Sequence, residues 1–146
     1  MHTVANASGE LAERSDARSR ATPGRLTILI DGECPLCKRE AAWLGRRDRK
    51  GRLAFVDIAA PNFEPGEYGK TQDQLMGAIH AVTAEGEMVT GVEVFRLAYS
   101  AIGLGWLLAP TRWPLLRPIA DAAYRVFARI RPRLQRRSCD TGRCKV

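Results

Sequence analysis

A run of leucine and β-branched residues, Arg25 to Ile30, leads directly into the turn signal Asp31-Gly32. Such a near-continuous apolar run is typical of a strand that is buried on both faces of a sheet. After the turn, Pro35 suits the first turn of a helix, and apolar residues follow it at intervals of four and three. The sequence therefore predicts a β-α unit whose strand lies in the middle of a sheet.

The rest of the chain continues this alternation and ends in a helix. The patterns predict a strand at Leu53 to Ile58, a helix at Thr71 to Ala78, strands at Ile79 to Ala84 and Glu87 to Thr90 around a turn at Glu85-Gly86, a helix after Gly91, and a last helix at Ile119 to Ile130 that Pro132 ends. This order predicts an α/β domain with a mixed sheet flanked by helices and a C-terminal helical extension.

Length and composition limit the class of protein. The 146 residues suit one domain at residues 25–135, preceded by a disordered leader at 1–24 and followed by a basic, cysteine-containing tail at 136–146. No apolar run is long enough to span a bilayer, and the leader lacks the apolar block of a secretory signal. We therefore expect a cytoplasmic protein with reduced thiols, which excludes a scaffold held by disulfides.

The positive charge is concentrated in the last quarter of the chain. Residues 1–111 hold 13 Lys and Arg against 14 Asp and Glu, whereas residues 112–146 hold 10 against 2. We interpret the basic end as a solvated helix face, and no recognised module predicts specific binding of nucleic acid. The proline-broken segment from Trp106 to Pro118 is expected to cover the core. The alternative is a peripheral membrane contact beside Arg112 and Arg117.

The segment from Asp31 to Cys37 contains the candidate catalytic residues. Cys34 and Cys37 are three residues apart at a strand-to-helix junction, a spacing that brings two sulfur atoms close on one helical turn. The unsatisfied N–H groups at a helix start favour a thiolate at Cys34. Pro35 fixes the backbone between them. We therefore predict a redox-active dithiol in which Cys34, expected nearer to solvent, attacks a disulfide and Cys37 resolves the mixed disulfide.

Asp31 has two open interpretations. Its charge would raise the pKa of a neighbouring thiol, so we expect it to accept the proton of Cys37 or to anchor the turn through its side-chain oxygens.

Cys139 and Cys144 leave other interpretations open. They could form a second redox pair that relays electrons to or from Cys34 and Cys37, form a local disulfide, or have no function. Together the four thiols could also hold zinc, which would make the chain a non-catalytic, zinc-stabilised module that docks an anionic partner through its basic tail. The spacing of about 100 residues between the pairs disfavours a zinc site, so we expect neither a metal nor a bound cofactor.

The motif resembles the signature of the DCC family of predicted thiol-disulfide oxidoreductases, written D-G-x-C-P-L-C. This chain carries it as Asp31, Gly32, Cys34, Pro35, Leu36 and Cys37, and the resemblance continues over residues 25 to 135. It implies a thioredoxin-like fold and thiol–disulfide exchange. The expected partners are a protein disulfide or a small thiol such as glutathione, and a separate electron donor.

One region departs from the wider thioredoxin-like pattern. Such proteins usually carry a cis-proline opposite the two cysteines, but here the region reads Ala78-Ile79-His80-Ala81. We offer His80 as a neighbour that stabilises the Cys34 thiolate; the alternative is a hydrogen-bonded structural histidine.

Overall fold

A computed structural model describes residues 24–135 of the chain, with side chains up to residue 131. The predicted leader, apart from Gly24, and the tail with Cys139 and Cys144 lie outside the described residues. The elements in chain order are β1 (Leu26–Ile30), α1 (Pro35–Arg47), β2 (Leu53–Asp57), a 3-10 helix (Pro65–Tyr68), α2 (Gln72–Gly77), β3 (His80–Val82), β4 (Met88–Thr90), α3 (Val92–Ala101), α4 (Gly105–Leu108), a second 3-10 helix (Ala109–Arg112) and α5 (Arg117–Gln135).

The four strands form one mixed sheet in the order β2-β1-β3-β4. The β1 and β2 strands are parallel, because α1 carries the chain back between them, and β3 pairs antiparallel with both β1 and β4. As a central strand, β1 is buried from Leu26 to Leu29. The predicted α/β class with a thioredoxin-like mixed sheet is confirmed, and both hairpin strands are shorter than expected.

Apolar cores lie on both faces of the sheet. On one face, Ile28 packs with Leu44 of α1 and Val94 of α3. On the other, Leu29 packs with Ile58 and with Leu75 of α2. Thr71 and Gln74 cap α2 reciprocally, each side chain accepting the other's backbone N–H, as the predicted cap at Thr71 requires. Helices on both faces explain why the β1 sequence is apolar at successive positions.

Two expectations for the C-terminal part are wrong. The last helix begins two residues earlier than predicted, at Arg117, and continues past Pro132 to Gln135. A proline removes one hydrogen bond from a helix without always ending it.

The segment from Trp106 to Pro118 does not cover the core, because Trp106 and Trp113 are exposed. It is attached to α3 by polar contacts instead: the buried Arg96 donates from Nε to Thr111 Oγ1 at 2.9 Å and from Nη2 to the Thr111 carbonyl. In the part of the chain that the structure describes, no helix has the length and apolar character to cross a bilayer.

Candidate active site

The site lies where β1 and β2 end together at one edge of the sheet. Ile30 is opposite Asp57 in the parallel pair, so the turn that follows β1 passes beside the Asp57 carboxylate. The Gly32 N–H donates to Asp57 Oδ1 at 2.8 Å, and a Cβ on residue 32 would overlap that carboxylate. This contact explains the glycine of the motif. Asp57 was not predicted from the sequence, although an aspartate at the end of the strand that follows α1 was an available signal.

Cys34 is the N-cap of α1 and connects the turn to the helix. Its N–H donates to the Asp31 carbonyl at 3.1 Å, and its carbonyl accepts the Lys38 N–H at 3.0 Å. Its Sγ accepts the backbone N–H of Cys37 at 3.4 Å, while Pro35 occupies the first turn, where a missing N–H costs nothing. The structure therefore brings Cys34 and Cys37 together at a helix start.

The two thiols have opposite pKa shifts. The Cys37 thiol donates a hydrogen bond to the Cys34 sulfur, and this bond is the largest cause that lowers the pKa of Cys34 to about 6. Burial opposes the shift, whereas the Cys37 backbone N–H and the positive charge of Arg131 add to it. The same thiol hydrogen bond, followed by burial, raises the pKa of Cys37. These shifts favour a thiolate at Cys34 and a thiol at Cys37.

The relative exposure of the cysteines reverses our expectation. Cys34 is only 2% exposed, whereas Cys37 is half-buried, so the prediction that Cys34 lies nearer to solvent is wrong for this conformation. As the N-cap, Cys34 turns its sulfur back over the helix start to accept the Cys37 N–H. Because only the thiolate is the nucleophile, ionisation favours Cys34 although exposure favours Cys37.

Asp31 and Arg131 form a buried ion pair beside the cysteines. Their side chains are 0% and 8% exposed, with 3.7 Å between Asp31 Oδ2 and Arg131 Nη2. Asp31 Oδ1 also accepts the Glu33 N–H at 3.0 Å, a bond within the turn of the kind that an anchoring side chain makes. Arg131 Nη2 in addition donates to the Met76 carbonyl at 3.0 Å. Arg131 thus connects α5 both to the motif and to the end of α2.

Arg131 was not predicted as a site residue, because it lies far along the chain from the motif. Its place on the last helix was nevertheless an indication that it is buried. It continues the spacing of Tyr124 and Phe127 on the face of α5 that packs inward. An arginine at a core-facing position of an amphipathic helix needs a buried partner, and here Asp31 is that partner.

His80 is a buried residue of β3. Its Nδ1 lies 2.9 Å from the Ala78 carbonyl oxygen, and burial lowers the pKa of the ring. The nearby positive charge that lowers the pKa of Cys34 belongs to Arg131. The geometry agrees with a hydrogen-bonded structural histidine.

A cavity of about 310 Å³ adjoins the dithiol between α1, α3 and α5. Cys37 and Arg131 contribute to its wall, and most of the remaining lining is apolar, including Leu36, Phe95 and Phe127. Leu36 is itself exposed, so the motif presents a large apolar side chain at the surface. The arrangement offers an apolar space beside the half-buried thiol.

No group of three or more His, Cys, Asp or Glu residues within 24–135 is arranged to hold a metal ion. The four-thiolate alternative also needs Cys139 and Cys144, which are outside this range, and so it stays a prediction.

A mixed sheet whose central strand leads into a Cys-x-x-Cys helix start defines a thioredoxin-like thiol protein. The model of the DCC1-like thiol-disulfide oxidoreductase family matches residues 28–137, and the chain belongs to this family. It is also 39% identical over 109 residues to an uncharacterized chloroplastic protein of Arabidopsis thaliana, covering 73% of this chain and 51% of that protein. The chain thus spans about half the length of this relative. No solved structure matches it.

Proposed function

We propose that the chain exchanges disulfides through Cys34 as the attacking thiolate and Cys37 as the resolving thiol. The observation that carries the proposal is the contact of the two cysteines at the start of α1, where Cys34 Sγ accepts the Cys37 N–H at 3.4 Å and the hydrogen bond from the Cys37 thiol lowers the pKa of Cys34 to about 6. A thiolate at neutral pH next to a protonated thiol is the arrangement that two-step exchange requires.

In the first step, the Cys34 thiolate attacks one sulfur of a substrate disulfide. A bond forms between Cys34 and that sulfur, and the other substrate sulfur leaves as a thiolate that takes up a proton. Cys37 then loses its proton and attacks Cys34, which releases the second substrate thiol. The net change is reduction of one substrate disulfide by two electrons and two protons, with oxidation of Cys34 and Cys37 to a disulfide.

The second step needs a base, because the pKa of Cys37 is raised. We assign this role to Asp31, whose buried carboxylate acts electrostatically on both thiols. As the Cys34 sulfur loses its charge in the mixed disulfide, Cys37 loses the acceptor of its hydrogen bond, and its proton is then easier to remove.

The substrate is a protein disulfide or a small disulfide such as oxidised glutathione, and a separate reductant restores the dithiol. The apolar lining of the cavity beside Cys37 supports a substrate with an apolar group next to its disulfide. A cytoplasmic location stays a prediction; the name of the Arabidopsis relative places that protein in the chloroplast.

The proposal is tested by mapping cysteines and by metal analysis on one preparation. Full-length reduced protein, purified without chelator, is treated with oxidised glutathione and digested for mass spectrometry. We expect a Cys34–Cys37 disulfide, no stoichiometric zinc, and catalysis of insulin reduction with dithiothreitol as electron donor. One zinc per chain without catalysis would instead support the four-thiolate module. A disulfide that joins Cys139 or Cys144 to the motif would support the relay.

A further inference from the structure

The C-terminal part of the described chain exposes several large apolar side chains. We call it the outer apolar surface and define it by Trp106 (69% exposed), Trp113 (68%), Leu115 (80%), Ile119 (63%), Val126 (55%) and Ile130 (44%). Single exposed apolar residues are ordinary, but six within 25 residues, two of them tryptophan, indicate an interaction surface.

Helix α5 is apolar on two sides. Tyr124 and Phe127 face the cavity beside the dithiol. Ile119, Val126 and Ile130 follow one another at intervals of seven and four residues, which places them in one stripe along a different, exposed side of the helix. Among the described residues, nothing buries this stripe. One face of α5 therefore lines the cavity beside the dithiol, and a second apolar face is exposed and available to a partner.

Polar contacts hold the two tryptophans in place. The segment between them is attached to α3 through Arg96, which bonds both the side chain and the carbonyl of Thr111, and Thr111 Oγ1 donates to the Leu108 carbonyl at 2.6 Å. These bonds fix the backbone of the segment. Trp106 and Trp113 are therefore exposed on a segment whose position is held by polar contacts.

Arginines surround this surface. Arg125 and Arg129 directly precede Val126 and Ile130, so they border the stripe, and Arg112 and Arg117 lie beside Trp113 and Leu115. All four are exposed. Asp121 is the one acidic residue in the sequence from 112 to 135. Arg112 also lies 3.7 Å from Glu93, measured from Nη2 to Oε1, so Arg117, Arg125 and Arg129 contribute most of the positive charge. This charge favours a partner that combines an apolar layer with negative charge.

These features argue against two other ways of covering the surface. A second copy would bring arginines against arginines, which opposes symmetric pairing. Residues 1–23 have only Met1, Val4 and Leu11 as large apolar residues, too few to cover six exposed side chains.

We propose that the outer apolar surface docks on the face of an anionic lipid bilayer. Tryptophan is enriched at the headgroup level of membranes, where its ring is apolar and its N–H stays hydrated. Leu115 and the α5 stripe would enter the boundary between headgroups and acyl chains, while the bordering arginines pair with lipid phosphates. The inference is independent of the redox chemistry, because it uses none of the residues assigned to exchange.

The test is vesicle binding by the full-length reduced protein, measured by co-sedimentation and by the emission wavelength of tryptophan. Phosphatidylcholine vesicles are compared with vesicles that also contain phosphatidylglycerol. We expect at least about tenfold tighter binding to the anionic vesicles, a blue shift of the emission, and weaker binding as salt rises. Binding to neither kind of vesicle at low salt would overturn the proposal.

Variants locate the contact on the protein. The double variants Trp106→Ser/Trp113→Ser and Arg125→Glu/Arg129→Glu are each expected to weaken binding at least about tenfold. The matched charge control, Arg46→Glu/Arg49→Glu, changes two exposed arginines near the end of α1 and is expected to stay within about twofold of the unaltered chain. Circular dichroism checks that every variant is folded.

Three results would contradict the assignment. The first is an equal loss of binding in the control variant, which would indicate attraction by net charge alone. The second is full binding by the tryptophan variant. The third is reversible self-association of the unaltered chain that the tryptophan variant abolishes, since this would assign the surface to a second copy.

Discussion

Cys34→Ser is expected to lower the rate constant of disulfide exchange at least about a thousandfold, because serine at neutral pH supplies no anionic nucleophile. The loss follows directly from the ionisation of Cys34, whose pKa of about 6 makes it the thiolate of the pair. The measurement is reduction of insulin, or of a chromogenic disulfide, under a fixed supply of dithiothreitol. The control is Cys139→Ser/Cys144→Ser, which is expected to keep the rate within about twofold.

Cys37→Ser separates the two roles. If Cys34 attacks and Cys37 resolves, as proposed, a mixed disulfide between Cys34 and the substrate accumulates in this variant and is visible by mass spectrometry. The reverse pattern, an adduct on Cys37 in the Cys34→Ser variant, would mean that exposure rather than ionisation selects the nucleophile. The structure makes this a sharp comparison, because Cys34 is the buried member of the pair and Cys37 the half-buried one.

Arg131→Met is expected to lower the free energy of unfolding by about 3 kcal/mol, since removing one partner of a buried ion pair leaves an uncompensated charge. The charge left behind is that of Asp31, whose side chain is fully buried beside Arg131. The substitution also removes the hydrogen bond to the Met76 carbonyl and the positive charge that lowers the pKa of Cys34. We therefore expect the pKa of Cys34 to rise as well as the stability to fall.

The matched control for this prediction is Arg129→Met on the exposed side of the same helix, with an expected change in stability within about 0.5 kcal/mol. Chemical denaturation measures both variants. The double variant Asp31→Asn/Arg131→Met should recover part of the stability lost in Arg131→Met, because it also removes the uncompensated negative charge of Asp31. Equal losses in the single and double variants would show that Arg131 contributes packing rather than charge.

The sequence was sufficient to predict the part of the fold around the motif. The apolar run at β1, the turn at Asp31-Gly32 and the first turn at Pro35 are local signals, and the structure has a strand, a turn and a helix there. The N-cap of α2 at Thr71 was predicted from an equally local signal. Such features depend on neighbours a few residues apart, which is why pattern and turn chemistry specify them.

The parts that could not be predicted depend on contacts between distant segments. The contact between Gly32 and Asp57 requires the parallel register of β1 and β2, and the contact between Asp31 and Arg131 requires α5 to pack over the site. The exposure of Trp106 and Trp113 was missed for a related reason: apolar composition favours burial, but the polar anchor at Arg96 and Thr111 holds their segment outside the core. The low exposure of Cys34 was missed for a local reason: as the N-cap, it turns its sulfur back over the helix start to accept the Cys37 N–H.

The central claim is that Cys34 carries a negative charge at neutral pH within the described dithiol. The most direct measurement is the chemical shift of the Cys34 β-carbon in the reduced full-length chain, followed by NMR through a pH titration, since this signal moves when the sulfur ionises. We expect a transition with its midpoint near pH 6, with the thiolate present above it and the thiol below. A single transition near the ordinary thiol value of about 8.5 would contradict the claim.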